Sequence, residues 1–223
     1  MYYLIETKDQ LNRFFKDEGN ECYLQFITNN DEVHPKLQSL CALYLYSFSK
    51  EKGFIINLNH PEAFELDLPL DYLQSYTNVF VKEKTKALLH LPHLPYTDIQ
   101  SIYYLLKNEP LDPLPKTAAH TFYERKFGAN NVNKIIPLAK HYEALTQEFT
   151  ALNPYITNYK SEASNKWYNE ILTPTLAKMV SEGIKINSDF QKHFDIKEKF
   201  SIEEDKIYGW YNFCTTTGRP TNN

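Results

Sequence analysis

Between residues 22 and 58 the chain carries three apolar runs separated only by short polar turns, and this spacing restricts the fold more than any other feature. Cys22 to Thr28 reads CYLQFIT, Leu40 to Phe48 reads LCALYLYSF, and Gly53 to Leu58 reads GFIINL. Runs of this length rich in aromatic and β-branched residues favour strands. A polar turn, Asn29 to Glu32, and a loop ending at Pro35 separate the first two. Three strands joined this closely make an antiparallel meander. A helix is expected ahead of them at Thr7–Lys16, where Thr7 can cap and Leu11, Phe14 and Phe15 share one face.

After the meander the period changes. Leu70–Ser75 and Thr85–Leu91 read as helices, with a strand at Asn78–Val81 between them. Asp98–Lys107 begins with a good cap, Lys116–Phe127 is closed by Gly128, and Ile136–Leu152 tolerates Pro137 in its first turn. A sheet followed by helices interleaved with further strands is the order of an α/β (α+β) domain. Asn153-Pro154 marks the expected boundary, because a residue before proline resists the helical region. Beyond it, Ser161–Glu182 reads as a long amphipathic helix bent near Pro174 and stopped by Gly183. A short extended Ile184-Lys185-Ile186 follows, Asn187 caps another helix, and Lys206–Thr217 is an aromatic-rich strand.

Composition narrows the function. Of 223 residues 42% are hydrophobic, enough for a buried core, while the net charge of −4 lacks the basic excess of a free-standing DNA-binding module. Lys82, Lys84 and Lys86 alternate with Glu83 and read as a solvated helix start. Cys22, Cys41 and Cys214 form no CxxC pair and fit a reducing interior. The amino terminus has no signal-peptide pattern, and no run is long enough to span a bilayer. A cytoplasmic location, in a bacterial or phage-infected cell, is expected. No G-x-S-x-G elbow, phosphate loop or H-E-x-x-H is present.

Two motifs carry a resemblance. Leu172–Asn187 reads LTPTLAKMVSEGIKIN and resembles the helix that links the exonuclease domain to the thumb in family A DNA polymerases. Tyr211–Asn222 reads YNFCTTTGRPTN and is similar to the Thr-Gly-Arg signature at the end of that thumb. The resemblance implies a DNA-backbone site formed by Thr216, Thr217, Gly218, Arg219 and Asn222. A guanidinium fork suits phosphate oxygens, glycine permits close approach, and hydroxyls position the duplex without reading its sequence. The amino-terminal strands resemble a proofreading exonuclease domain of ribonuclease H-like fold. Asn59-His60-Pro61, Tyr96–Ile99 and Ile136–Leu145 fall where that family has its own motifs. The implied organisation is an exonuclease-like domain over 1–153, then a linker helix and the beginning of a helical thumb over 154–223.

Exonucleases of this kind use two metal ions held by carboxylates, one pair from an Asp-x-Glu on the first strand. The first strand here offers Gln25, Phe26, Ile27 and Thr28, then Asn29, and no acid. Asp31 and Glu32 come too late, in the turn, and adjacent carboxylates on a strand would face opposite ways. The second motif is replaced by VKEKTK, Val81–Lys86, and the third, Lys140-His141-Tyr142-Glu143, offers only Glu143. The expectation is a degenerate exonuclease domain acting as scaffold, with no metal or cofactor of its own and Mg2+ belonging to the polymerase palm. Primer–template DNA and the remainder of a polymerase, in the same chain or a second subunit, are the expected partners, with no membrane. A stand-alone ribonuclease H-like interaction domain is the alternative. A third reading, an active nuclease, requires Asp31, Asp98 and Glu143 to converge.

Overall fold

The structure, a computed structural model, describes residues 2–16, 18–29, 36, 38–107, 136–157, 166–185, 201–203, 206–209, 211–212 and 221–222. The expected helix Lys116–Phe127, the helix capped by Asn187, and Asp31 and Glu32 lie outside the described residues.

The chain enters through a two-residue strand β1 (Leu4–Ile5) and helix α1 (Lys8–Lys16). A reciprocal cap starts the helix: Gln10 N donates to Thr7 Oγ1 at 3.3 Å, and Gln10 Oε1 accepts from Thr7 N at 3.2 Å. That exchange satisfies backbone donors that no helical carbonyl reaches. Strands β2 (Glu21–Thr28), β3 (Leu40–Ser47) and β4 (Lys52–Asn57) form the expected antiparallel meander, with Leu24 opposite Leu45 and Leu43 opposite Ile56. Helix α2 (Leu70–Leu73), strand β5 (Asn78–Val81), helix α3 (Lys84–His90), strand β6 (Tyr96–Asp98) and helix α4 (Ile99–Lys107) follow. The sheet order is β1-β4-β3-β2-β5-β6, with β2, β5 and β6 parallel. Strand β1 is added at the far edge, parallel to β4.

Both faces of the sheet are covered, which is why β2 and β3 are nearly continuous apolar runs and not alternating ones. Cys22, Leu24, Leu43, Leu45 and Val79 pack under α1, α2 and α3 with Leu11, Phe14, Leu73 and Ala87. Tyr23, Ile27, Tyr44, Ile55 and Phe80 face the other way, against Leu145, Phe149 and Leu152 of helix α5 (Leu138–Thr157).

Helix α5 does not stop before Pro154 as the sequence suggested. It runs on to Thr157, with Pro154 in its interior. An interior proline removes one helical hydrogen bond and costs about 3 kcal/mol. Leu152 and Ile156, buried against the sheet on either side of it, keep the register. Thr157 Oγ1 meanwhile donates to the carbonyls of Asn153 and Pro154.

The linker region is bent near Pro174, as expected, and the device is a π-helical turn over Tyr168–Leu172 leading into helix α6 (Thr173–Glu182). Gly183 closes α6 at φ 65°, donating its N–H to Met179 O. Strand β7 (Ile184–Lys185) then pairs with β9 (Lys206–Tyr208), which also pairs with β8 (Ser201–Glu203). The single strand expected from Lys206 is two: β10 (Tyr211–Asn212) pairs separately with β11 (Thr221–Asn222).

Candidate functional site

Parallel strands joined by helices leave a crevice beyond their carboxyl ends, and ligands of open α/β sheets bind there. Here the ends of β2 and β5 meet α5 around a cavity of about 110 Å3, lined among others by Gln25, Ile27, Lys82, Glu83, His141 and Glu148. Of β2, the side chains of Tyr23 and Ile27 sit on the α5 face, and Gln25 reaches the same helix. These are the positions at which an Asp-x-Glu pair would have to stand, and they hold a phenol, an amide and an alkyl group.

Helix α5 presents His141, Leu145 and Glu148 to the cavity, at helical i, i+4, i+7 spacing. Its start is anchored by the loop after β4. Leu138 N donates to Glu62 Oε2 at 2.7 Å, and His60 Nε2 meets Ile136 O at 3.0 Å. Glu62 N donates to His60 Nδ1, so the proton sits on Nε2. Burial holds His60 below the usual histidine range, against smaller opposite effects from the Ile136 carbonyl and Glu62. The Asn-His-Pro segment noted in the sequence is therefore a structural corner.

Glu148 is the buried charge of the cavity, with its side chain 2% exposed. Its Oε1 accepts from Tyr23 Oη and Gln25 Nε2, both at 2.9 Å, and its Oε2 pairs with Lys82 Nζ at 2.9 Å. Gln25 Nε2 also donates to Tyr23 Oη. Burial first, and the Glu148 carboxylate second, push the Tyr23 phenol far above its ordinary range, so it remains a donor. The sequence reading did not single out Glu148. The available signal was its place on the α5 stripe of Leu138, His141, Leu145 and Leu152, where a carboxylate needs a buried partner.

The basic run Lys82–Lys86 is not a solvated helix start. Lys82 closes the ion pair just described, and Lys84 is 9% exposed with its ammonium donating to Tyr96 O at 2.8 Å and Asn169 O at 2.7 Å. The π turn explains the second acceptor. Thr173 N bonds back to Tyr168 O, five residues away, so Asn169 O should receive the next N–H, and residue 174 is proline. Lys84 caps a carbonyl to which Pro174 has no N–H to offer. Asn169 Oδ1 in turn accepts from Asp98 N.

Asp98 caps α4, accepting from Gln100 N at 3.2 Å and Ser101 Oγ at 2.8 Å. Burial pushes its carboxyl up to about 7 despite these bonds. Burial likewise lowers Lys84, while Asp98 and Glu170 act in the opposite direction.

Of the acids named by the active-nuclease reading, the two described ones, Asp98 and Glu143, do not come together. Asp98 is enclosed by Ser101 and the start of α3, whereas Glu143 is exposed and pairs with Lys140. Among the described residues no three His, Cys, Asp or Glu side chains are grouped to hold a metal ion. The donor set of the cavity does not fit a pair of divalent cations, since its deep carboxylate is already engaged by an ammonium and two neutral donors. Thr216, Thr217, Gly218 and Arg219 lie outside the described residues, and Asn222 stands in β11 opposite Tyr211. No helix among the described residues is long and apolar enough to cross a membrane.

Neither a protein-family model nor a curated protein sequence matches the chain. Solved structures do. Ribonuclease D of Trypanosoma brucei, in complex with the RNA U12, is 15% identical over 81% of this chain and 70% of its own, with a TM-score of 0.50. Escherichia coli ribonuclease D is 15% identical over 81% of this chain and 51% of its own, at a TM-score of 0.43. Brucella melitensis NrnC bound to pGG is 11% identical over 71% of this chain and 82% of its own, at 0.44. The strand order, the two covered faces and the likeness to the trypanosomal enzyme identify the fold as the ribonuclease H-like 3′–5′ exonuclease fold.

Proposed function

We propose that the chain is a non-hydrolytic exonuclease-like scaffold that holds the linker and the start of the thumb of a family A-like DNA polymerase in replication. The observation that carries the first half is the state of Glu148. A carboxylate held by Lys82, Tyr23 and Gln25 has most of its acceptor sites occupied and its charge balanced by an ammonium, which makes it a poor metal ligand or general base. The other carboxylate of the pocket wall, Glu83, stands at the N-cap of α3, and neither β2 nor the α5 positions His141 and Leu145 supply one beside Glu148. The second half is supported by the order of the two motifs along the chain. It is also supported by the way α6, Gly183 and β7 follow one another as the linker resemblance implies.

In this reading Thr216, Thr217, Gly218, Arg219 and Asn222 touch the primer–template backbone. The palm and fingers, with their Mg2+, come from the remainder of the polymerase, in the same chain or in a second polypeptide. Fluorescence anisotropy with a labelled primer–template tests it. Binding is expected to be weak, because the chain is net acidic, and to fall roughly tenfold or more between 50 and 200 mM salt as phosphate contacts are screened. Arg219→Ala should weaken it further and flatten the salt slope. Equal binding by wild type and variant at every salt concentration removes the Thr-Gly-Arg site.

A second reading, a stand-alone interaction domain, is favoured by one surface. Trp167, Ile171 and Met179 along the linker helix, and Ile184 after it, are each about half exposed.

A further inference from the structure

Glu148 lines the cavity from a helix packed against the sheet, its side chain 2% exposed, and a carboxylate this deep requires a positive partner. The partner is supplied by the fold itself. Lys82 directly follows β5, and its carbonyl is held by Gln100 N at 3.2 Å, so the backbone from which its side chain departs is pinned between β5 and α4. From there the ammonium reaches Glu148 Oε2 at 2.9 Å with 23% of the side chain exposed. Tyr23 and Gln25 direct two further donors at the other carboxylate oxygen. The polarity around Glu148 is thus that of an acceptor ringed by protons. A hard divalent cation arriving there would meet N–H and O–H groups and an ammonium, where it needs several oxygen lone pairs.

We propose that Lys82 takes the place of a divalent cation in this pocket: its ammonium is the resident counter-ion of Glu148 and keeps metal ions out. This rests on the non-hydrolytic reading of the pocket given above. It goes further, because it assigns the loss of metal affinity to one lysine as well as to missing carboxylates. Removing the ammonium leaves Glu148 and Glu83 lining the same cavity with Gln25 free to turn its Oε1 inward, a set of oxygen donors that attracts a divalent cation.

The test uses Mn2+ as the probe, read by thermal unfolding and by the loss of the free aqueous Mn2+ resonance. Wild type should show no shift in Tm and no Mn2+ uptake at millimolar concentration. Lys82→Met should unfold roughly 10 °C lower, because it removes the ammonium paired with a buried carboxylate, and millimolar Mn2+ should restore much of that loss. The restoration should vanish in Lys82→Met/Glu148→Gln, which should itself be more stable than Lys82→Met alone. A Lys82→Met protein as stable as wild type and indifferent to Mn2+ overturns the proposal.

Should Lys82→Met fail to fold, wild type and Glu148→Gln decide the matter. Equal, negligible uptake by both sustains the proposal, and uptake by wild type that Glu148→Gln abolishes overturns it. Wild-type uptake without degradation of nucleic acid overturns this inference alone, whereas uptake with degradation removes the non-hydrolytic reading as well.

Discussion

Lys84→Met should lower the stability of the protein by about 2–6 kcal/mol, since two buried carbonyls lose their bond to the ammonium at once and each such loss costs roughly 1–3 kcal/mol. The two are Tyr96 O on the edge strand and Asn169 O on the π turn, so the loss falls on the contact between the sheet domain and the linker helix. A drop in Tm of roughly 5–15 °C is expected for a chain of this size. Hydrogen exchange gives the finer readout. Amides of Thr173–Glu182 should lose protection while those of β2 and β3 keep theirs. Uniform loss of protection would mean that Lys84 serves the whole domain and not this joint. Methionine keeps the alkyl packing, so the change isolates the ammonium. The position is informative because Lys84 opens α3, where a positive charge opposes the helix dipole. Its presence there is explained by the carbonyls it caps.

Gly183→Ala should be nearly as costly, at about 3 kcal/mol, for two independent reasons. The backbone has φ 65° and ψ −179°, a combination that side chains other than glycine's rarely tolerate. A Cβ would also lie 2.9 Å from a ring carbon of Tyr208 and 3.0 Å from Ile207 O. The ring could turn aside, but the Ile207 backbone belongs to β9, paired with β7 immediately after the glycine. Thermal unfolding of Gly183→Ala, Tyr208→Ala and the double variant separates the two terms. The double variant should recover the ring clash and retain the backbone strain. Full recovery would place the whole effect on Tyr208.

Much of the fold was legible because it depends on local chemistry. The bounds of β5, Asn78–Val81, follow from four residues of strand character between turn signals, and α3 and the meander strands fall within one or two residues of expectation. Strand β1 was not legible: two residues make a strand only through their pairing with Ile55 and Ile56, 51 residues away. Pro154 misled for a related reason, since the local preference to end the helix is outweighed by burial of Ile156.

The pocket divides the same way. The absence of acids at Gln25 and Ile27 could be read directly. The Lys82–Glu148 pair, spanning 66 residues, and the Lys84–Asn169 contact, spanning 85, could not. A lysine in a K-E-K-T-K run looks the same from sequence whether it faces water or a buried carbonyl. Only the packing of α5 and the linker helix against this region distinguishes the two.

The claim that this is an exonuclease fold without hydrolytic chemistry is tested most directly on labelled nucleic acid. The purified chain would be incubated with single-stranded DNA and RNA labelled at the 5′ end, in the presence of Mg2+ or Mn2+, and the products resolved at single-nucleotide length. The account predicts full-length substrate throughout, with wild type and Glu148→Gln indistinguishable from buffer. A ladder shortening from the 3′ end, dependent on the cation and lost in Glu148→Gln, would contradict it.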